Sequence, residues 1–228
     1  MSSAPVGAQS LGGTDGTTQL TIDTPVYRYG HGIMGDVPEW SRLCLSRGGK
    51  RGCVTLGPSA VFEEMEARLA DIDQDGEAEA IVVESNEDLG AALVIYDLEK
   101  DQITRTATPN IGTRYRWLAP IGGADFDGDG AMEVAFVDRP HLAKTLRIWR
   151  YTSGKLTQIA SMRGVTNHKI GENFIASAIR NCDGLPEMVL TEATRRTIIA
   201  VRFEGDRLIR REMGPYAGPK SIKNAAAC

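Results

Sequence analysis

The hexapeptide Asp-x-Asp-x-Asp-Gly occurs twice, as Asp71-Ile72-Asp73-Gln74-Asp75-Gly76 and as Asp125-Phe126-Asp127-Gly128-Asp129-Gly130. Carboxylates at alternate positions of a tight loop converge on one point, and glycine at the sixth position allows the turn. Hard cations that take six to eight oxygens, Ca²⁺ above all, are bound this way; Mg²⁺ fits less well because it keeps more water. The first ligand set is read as Asp71, Asp73, Asp75, the carbonyl of Glu77 and the carboxylate of Glu79. The second is Asp125, Asp127, Asp129, the carbonyl of Ala131 and Glu133. Two Ca²⁺ ions are therefore expected. An EF-hand is excluded, because it needs glutamate at position 12 between two helices. That position holds Val82 and Phe136, and the runs that follow are β-branched and aromatic. The plain alternative is a pair of acidic, solvated turns. Against it stand the duplication in one frame and the cost of clustering like charges without a cation.

These loops need strands to carry them. Asp75 and Asp129 lie 54 residues apart, and a degraded third copy, Asn181-Cys182-Asp183-Gly184, follows at the same spacing. Ile179 and Asn181 replace its first acids, so this copy is expected to keep the turn and to bind metal weakly or not at all. The runs Glu79–Glu84, Glu133–Asp138 and Glu187–Glu192 align, as do those beginning at Leu93, Arg147 and Val201. Each unit reads strand, acidic loop, strand, polar loop, strand, turn, strand. Fourth strands are expected near Gln102–Ala107, Lys155–Ala160 and Arg207–Arg211. A repeat of this length signals a solenoid or propeller.

The pattern over residues 60–213 resembles the FG-GAP/VCBS repeat family, including uncharacterised bacterial proteins carrying this repeat. The resemblance implies four-stranded propeller blades with a Ca²⁺ loop between the first two strands. Glutamate at the last ligand position, where that family usually has aspartate, is a departure. The expected fold is thus all-β, a β-propeller of about four blades at 19–64, 65–118, 119–172 and 173–228. The first blade is divergent, with Pro25–Met34 as its inner strand and Glu39–Ser46 and Gly52–Leu56 after it. An open array, or a ring completed by another subunit, would also satisfy the repeat. Residues 1–18, rich in Gly, Ser, Thr and Ala, are expected to form a disordered leader without the apolar core of a signal peptide.

With a net charge of −4, the chain lacks the basic footprint of general nucleic-acid binding, and no apolar run is long enough to span a membrane. Gly48-Gly49 is a two-residue hairpin signal that sets Arg47 against Lys50 and Cys44 against Cys53. In that register the cysteines form a non-hydrogen-bonded pair within disulfide reach. A disulfide implies an oxidising compartment; two thiols in a cytosolic hairpin are the alternative. Cys182 sits in the degraded loop and could replace the ion by a tie to Cys228. Disulfide and Ca²⁺ loops point together to a periplasmic, cell-surface or secreted protein.

If the acidic loops gather at one end of the blades, the other connections gather at the opposite end. Arg114, Arg116, Trp117, Asp138, His141, Asn167, His168 and Glu192 are expected there, a set that could grip sugars, carboxylates or peptides. The same residues could instead serve the fold: Trp117 as core, Asp138 and Glu192 as caps or partners of nearby cations. No complete catalytic motif is present. The chain is read as a non-enzymatic module for a protein or glycan partner. The alternatives are a lyase or hydrolase with His168 as base and Arg114 and Arg116 on a polyanionic substrate, or a structural subunit of a larger assembly.

Overall fold

The computed structural model describes residues 10–182 and 184–228; Asp183 of the degraded loop lies outside them. Among the described residues, eighteen strands and one short helix make an all-β protein with three antiparallel sheets, none closed on itself. The first sheet has nine strands: β1 (Leu11–Thr14), β2 (Gln19–Val26), β3 (Glu39–Arg47), β4 (Lys50–Thr55), β5 (Ala60–Phe62), β6 (Leu69–Ala70), β7 (Glu79–Asn86), β8 (Gly90–Glu99) and β9 (Gln102–Ala107). The second holds β10 (Leu118–Ala124), β11 (Glu133–Asp138), β12 (Thr145–Thr152) and β13 (Lys155–Arg163). The third holds β14 (Val165–Thr166), β15 (Ala178–Arg180), β16 (Glu187–Glu192), β17 (Thr197–Glu204) and β18 (Arg207–Pro215), and the helix α1 (Pro219–Ala226) ends the chain.

The last three units share one plan. An inner strand, split in two at β5/β6 and at β14/β15, pairs with a second strand, then a third, then a fourth. The first unit differs. Its β3 meets the next unit directly through the pair Trp40↔Phe62, so the first two units merge into one sheet. Pro25–Met34 is not an inner strand: β2 ends at Val26, and the chain then crosses without regular pairing to Glu39. Within the expected leader, Leu11–Thr14 pairs with Gln19–Ile22, while residues 1–9 lie outside the described ones.

The units stack face to face, which explains why their second strands are continuously apolar. Ala80 and Val82 face Leu20, Ile22, Leu43 and Leu45 of the first unit. The alternate residues, Ile81 and Val83, join a second core with Val134, Phe136, Met188 and Leu190. Val189 and Ala200, on the far face of the last sheet, are covered by Ile222 of α1. Stacked repeats need capped ends, and both ends here carry a disulfide. Cys44 and Cys53 lie opposite each other across the hairpin, with Cα atoms 4.1 Å apart. Gly48 and Gly49 adopt φ of 56° and 79°, which suits the tight turn between them. Cys228 joins Cys182, with Cα atoms 5.5 Å apart, and holds the end of α1 to the degraded loop. Among the described residues no helix is long and apolar enough to cross a membrane.

Crosslinks stabilise in rough proportion to the logarithm of the loop they close. The two bridges span sequence separations of 46 and 9 residues. Replacing Cys182 and Cys228 together with Ser should cost about 4 kcal/mol, and replacing Cys44 and Cys53 roughly 3 kcal/mol. Denaturant unfolding of the two double variants measures both, and the reverse order would contradict the capping role of α1.

Candidate functional site: an acidic end and a histidine-lined pocket

The first acidic loop joins β6 to β7. Carboxylate oxygens of Asp71, Asp73 and Glu79 lie within 4.8 Å of one another. Gly76, at φ 90° with open space around its Cβ position, is there for its backbone conformation. Glu79 is buried, and its Oε2 accepts the N–H of Ile72 at 2.6 Å and of Asp73 at 3.3 Å. Its Oε1 and the Oδ1 of Asp71 are buried with no hydrogen-bond partner among the described residues. Burial, with Asp73 and Asp97 nearby, pushes the Glu79 carboxyl up to about 8. Asp75 stands outside this cluster and accepts the N–H of Glu77. Arg47 reaches over from β3 to Asp97 and Glu77, each at 2.7 Å; it forms no ion pair with Glu79.

The second loop joins β10 to β11 and groups Asp125, Asp127 and Glu133 in the same way. Its glutamate is buried, and Oε2 accepts the N–H of Phe126 at 2.9 Å. Here the cluster already holds a cation. Arg150, directly across the ladder from Glu133, reaches Asp127 at 2.6 Å, Asp129 at 2.8 Å and Glu133 at 2.7 Å. The carbonyl of Ala131 belongs to the same loop, and its N–H donates to Asp129. In the third loop Arg180, Arg202 and Arg211 surround Glu187 at 3.0, 3.3 and 2.7 Å. They hold its carboxyl below the usual range despite burial. The loop keeps its turn at Gly184, φ 106°.

At the opposite end, connections from several units line a pocket of about 390 Å³. Gly30, His31 and Ile33 come from the crossing after β2. Tyr115, Arg116 and Trp117 precede β10, Arg139–Leu142 follow β11, and Ile170 follows β14. Hydrogen bonds lock these segments together. The Tyr29 hydroxyl accepts the N–H of Tyr115 at 3.0 Å, and the Ile33 carbonyl accepts the N–H of Gly171 at 3.2 Å. Trp117, 1% exposed, forms the floor and donates its Nε1–H to the Glu63 carbonyl at 3.1 Å.

All three histidines of the chain meet here. His31 Nδ1 lies 2.8 Å from Glu63 Oε1, and its ring stacks on Tyr115. His141 Nε2 lies 2.9 Å from His168 Nδ1, and His168 Nε2 lies 2.9 Å from the Glu172 carbonyl oxygen. Burial, then the neighbouring His168, pushes His141 down to about 4. Burial also lowers His168.

The residues expected at this end divide into two groups. Arg116, Trp117 and His141 line the pocket. Arg114 is half-exposed beside it, 4.5 Å over the Tyr115 ring and 3.5 Å from Glu87. Asp138 is buried between Arg139 and Arg147. Asn167 is buried and donates to the Ala119 carbonyl and to Ser177. Glu192 accepts the N–H groups of Thr194 and Arg196, closing the turn after β16. His168 is 1% exposed with both ring nitrogens engaged. The trio of His168, Arg114 and a carboxylate does not converge in the pocket. Tyr115, Leu142 and Ile170 lie in connections expected at this end without being singled out, whereas His31 comes from the crossing after β2, where the one pointer is the aromatic run Tyr27-x-Tyr29-x-His31.

The fold and its acidic loops define a class. Residues 71–136 match the family model of an FG-GAP-like repeat, and that stretch runs from the first aspartate of one acidic loop to the end of the strand core after the other. The chain carries an FG-GAP-like repeat. No curated protein matches the chain.

His141 has a folded pKa below its unfolded value of 6.5, so unfolding takes up a proton below that pH. The stability it contributes is present at neutral pH and is lost as pH falls from 6.5 toward about 4. His141→Gln should flatten the melting temperature over that interval. An unchanged slope would mean that the ring does not stay neutral.

Proposed function

We propose that the chain is an extracytoplasmic, non-enzymatic binding module, a propeller-type array of four units. One end is braced by a divalent cation, and the other recognises a protein or glycan partner. The observation that carries this reading is the division of labour between the ends. Acidic loops, with their buried carboxylates, gather at one end, and an open pocket drawn from separate units lies at the other. The repeat itself supports a binding or interaction module, and two disulfides suit an oxidising compartment.

The cation belongs to the first loop. Asp71, Asp73 and Glu79 present the donor set a hard ion wants, and two of their buried oxygens have no other partner among the described residues. Ca²⁺ suits such a carboxylate set at extracellular concentrations. The ion would neutralise the cluster and fix the loop against β7. The second loop carries Arg150 where a second ion would sit. An ion there must first displace a cation held by three carboxylates. Two sequence motifs therefore translate into one ion.

Calorimetric titration of chelator-stripped protein with Ca²⁺ tests this directly. The expected result is one bound equivalent with a rise in melting temperature. Glu79→Gln should abolish binding, and Arg150→Ala should open a second site. Two equivalents in the unaltered chain, or none, would contradict the proposal.

A further inference from the structure

The pocket lining is unlike the rest of the molecule. The chain has 30 acidic and 26 basic residues apart from histidine, yet among the described residues the lining has two arginines, two histidines and no acid or amide. Arg139 and His31 are already partnered by acids. Arg139 forks onto Asp138, with contacts at 2.7 and 3.0 Å. Behind His31 stands the buried Glu63. Arg116 is the exception. Its guanidinium donates to the Tyr115 carbonyl at 2.8 Å and forms no ion pair among the described residues. Around it the walls are apolar: Ile33, Pro140, the Trp117 floor, and at the mouth Leu142 and Ile170, which are 65% and 62% exposed.

We infer that this pocket binds a carboxylate joined to an apolar group, with the apolar part over Trp117 between Ile33, Pro140 and Leu142, and the carboxylate forked onto Arg116. The inference rests on the recognition end proposed above and narrows its ligand. An unmatched guanidinium in an apolar concavity selects a planar anion, because arginine presents parallel N–H donors that fit a carboxylate. Sugars call for carboxylate or amide partners, which the lining lacks. A phosphate would call for more cations than one free arginine. His141 Nδ1 and His31 Nε2 have no hydrogen-bond partner among the described residues, so each can add one hydrogen bond to the ligand. The volume suits one aromatic or branched aliphatic group. Such a group reaches the site either as a small free acid or as the last residue of a peptide.

The test is calorimetric titration of the intact chain with N-acetyl-phenylalanine, its primary amide, and a phenylalanine-ended peptide with a free or amidated C-terminus. The free acids should bind at least about tenfold more tightly than the amides. Arg116→Gln should erase that difference without changing the Ca²⁺ stoichiometry or the melting temperature. A peptide that binds more tightly than the small acid marks a chain-end site, and equal affinities mark a small-acid site. Equal binding of acid and amide overturns the ligand class. If that binding is lost in Leu142→Glu, the recognition end still stands. Absence of binding by every probe overturns the inference, while the Ca²⁺ result continues to judge the acidic end separately.

Discussion

Each of the last three units buries one glutamate at the start of its second strand: Glu79, Glu133 and Glu187, at 2%, 0% and 5% exposure. In the first two of these units the carboxylate accepts a backbone N–H from the acidic loop before it, so loop and strand close on each other. A buried carboxylate is costly unless a positive charge reaches it. The rest of the acidic end follows from how each unit meets that demand. The last surrounds Glu187 with three arginines and ties its loop to α1 with a disulfide. The middle one places Arg150 across the ladder. The remaining one sets the acid Asp97 just beyond the pair Ala80↔Tyr96, and Arg47 answers Asp97 rather than Glu79. In our proposal a cation from solution makes up that deficit.

The pocket lies at the other end, where the buried acids Glu63 and Asp138 are partnered by His31 and by Arg139 and Arg147. The pocket is assembled from connections of separate units, so its shape depends on how the sheets stack and on the crossing segment after β2. Two apolar cores fix the stacking, and Tyr29 and Ile33 anchor the crossing to Tyr115 and Gly171. A site held this way is pre-formed, which lowers the ordering cost of binding. The free ring nitrogens of His31 and His141 add hydrogen-bonding capacity.

What the sequence disclosed was local. The strands after the acidic loops and the Cys44–Cys53 register around Gly48-Gly49 depend on neighbours a few residues apart, and the structure places them as read; of the first loop's expected carboxylates it groups Asp71, Asp73 and Glu79 and leaves Asp75 outside. What it hid was long-range. At the 54-residue spacing Arg150 falls level with Tyr96 and Glu204, so no alignment of the repeats points to a counter-charge. Cross-strand register shifts between units because the connections between second and third strands differ, and this sets Arg150 against Glu133 but Tyr96 against Ala80. Pro25–Met34 has strand-like composition, yet only Pro25 and Val26 pair in β2, and residues 27–34 serve as a crossing that packs against other units. His31 joins His141 and His168 only through that crossing. Asp138, read as either a ligand group or the partner of a nearby cation, takes the second role between Arg139 and Arg147, and Asn167 donates to the buried Ala119 carbonyl.

In our proposal the units neutralise equivalent buried glutamates by different means, one with a metal ion and two with arginines. The most direct test is the anomalous difference map of crystals grown with Tb³⁺, an oxygen-seeking substitute for Ca²⁺. The account predicts a strong peak among Asp71, Asp73 and Glu79, none beside Glu133 or Glu187, and Arg150 still in contact with Asp127 and Glu133. Peaks of equal height at the first two loops, with Arg150 displaced, would contradict it.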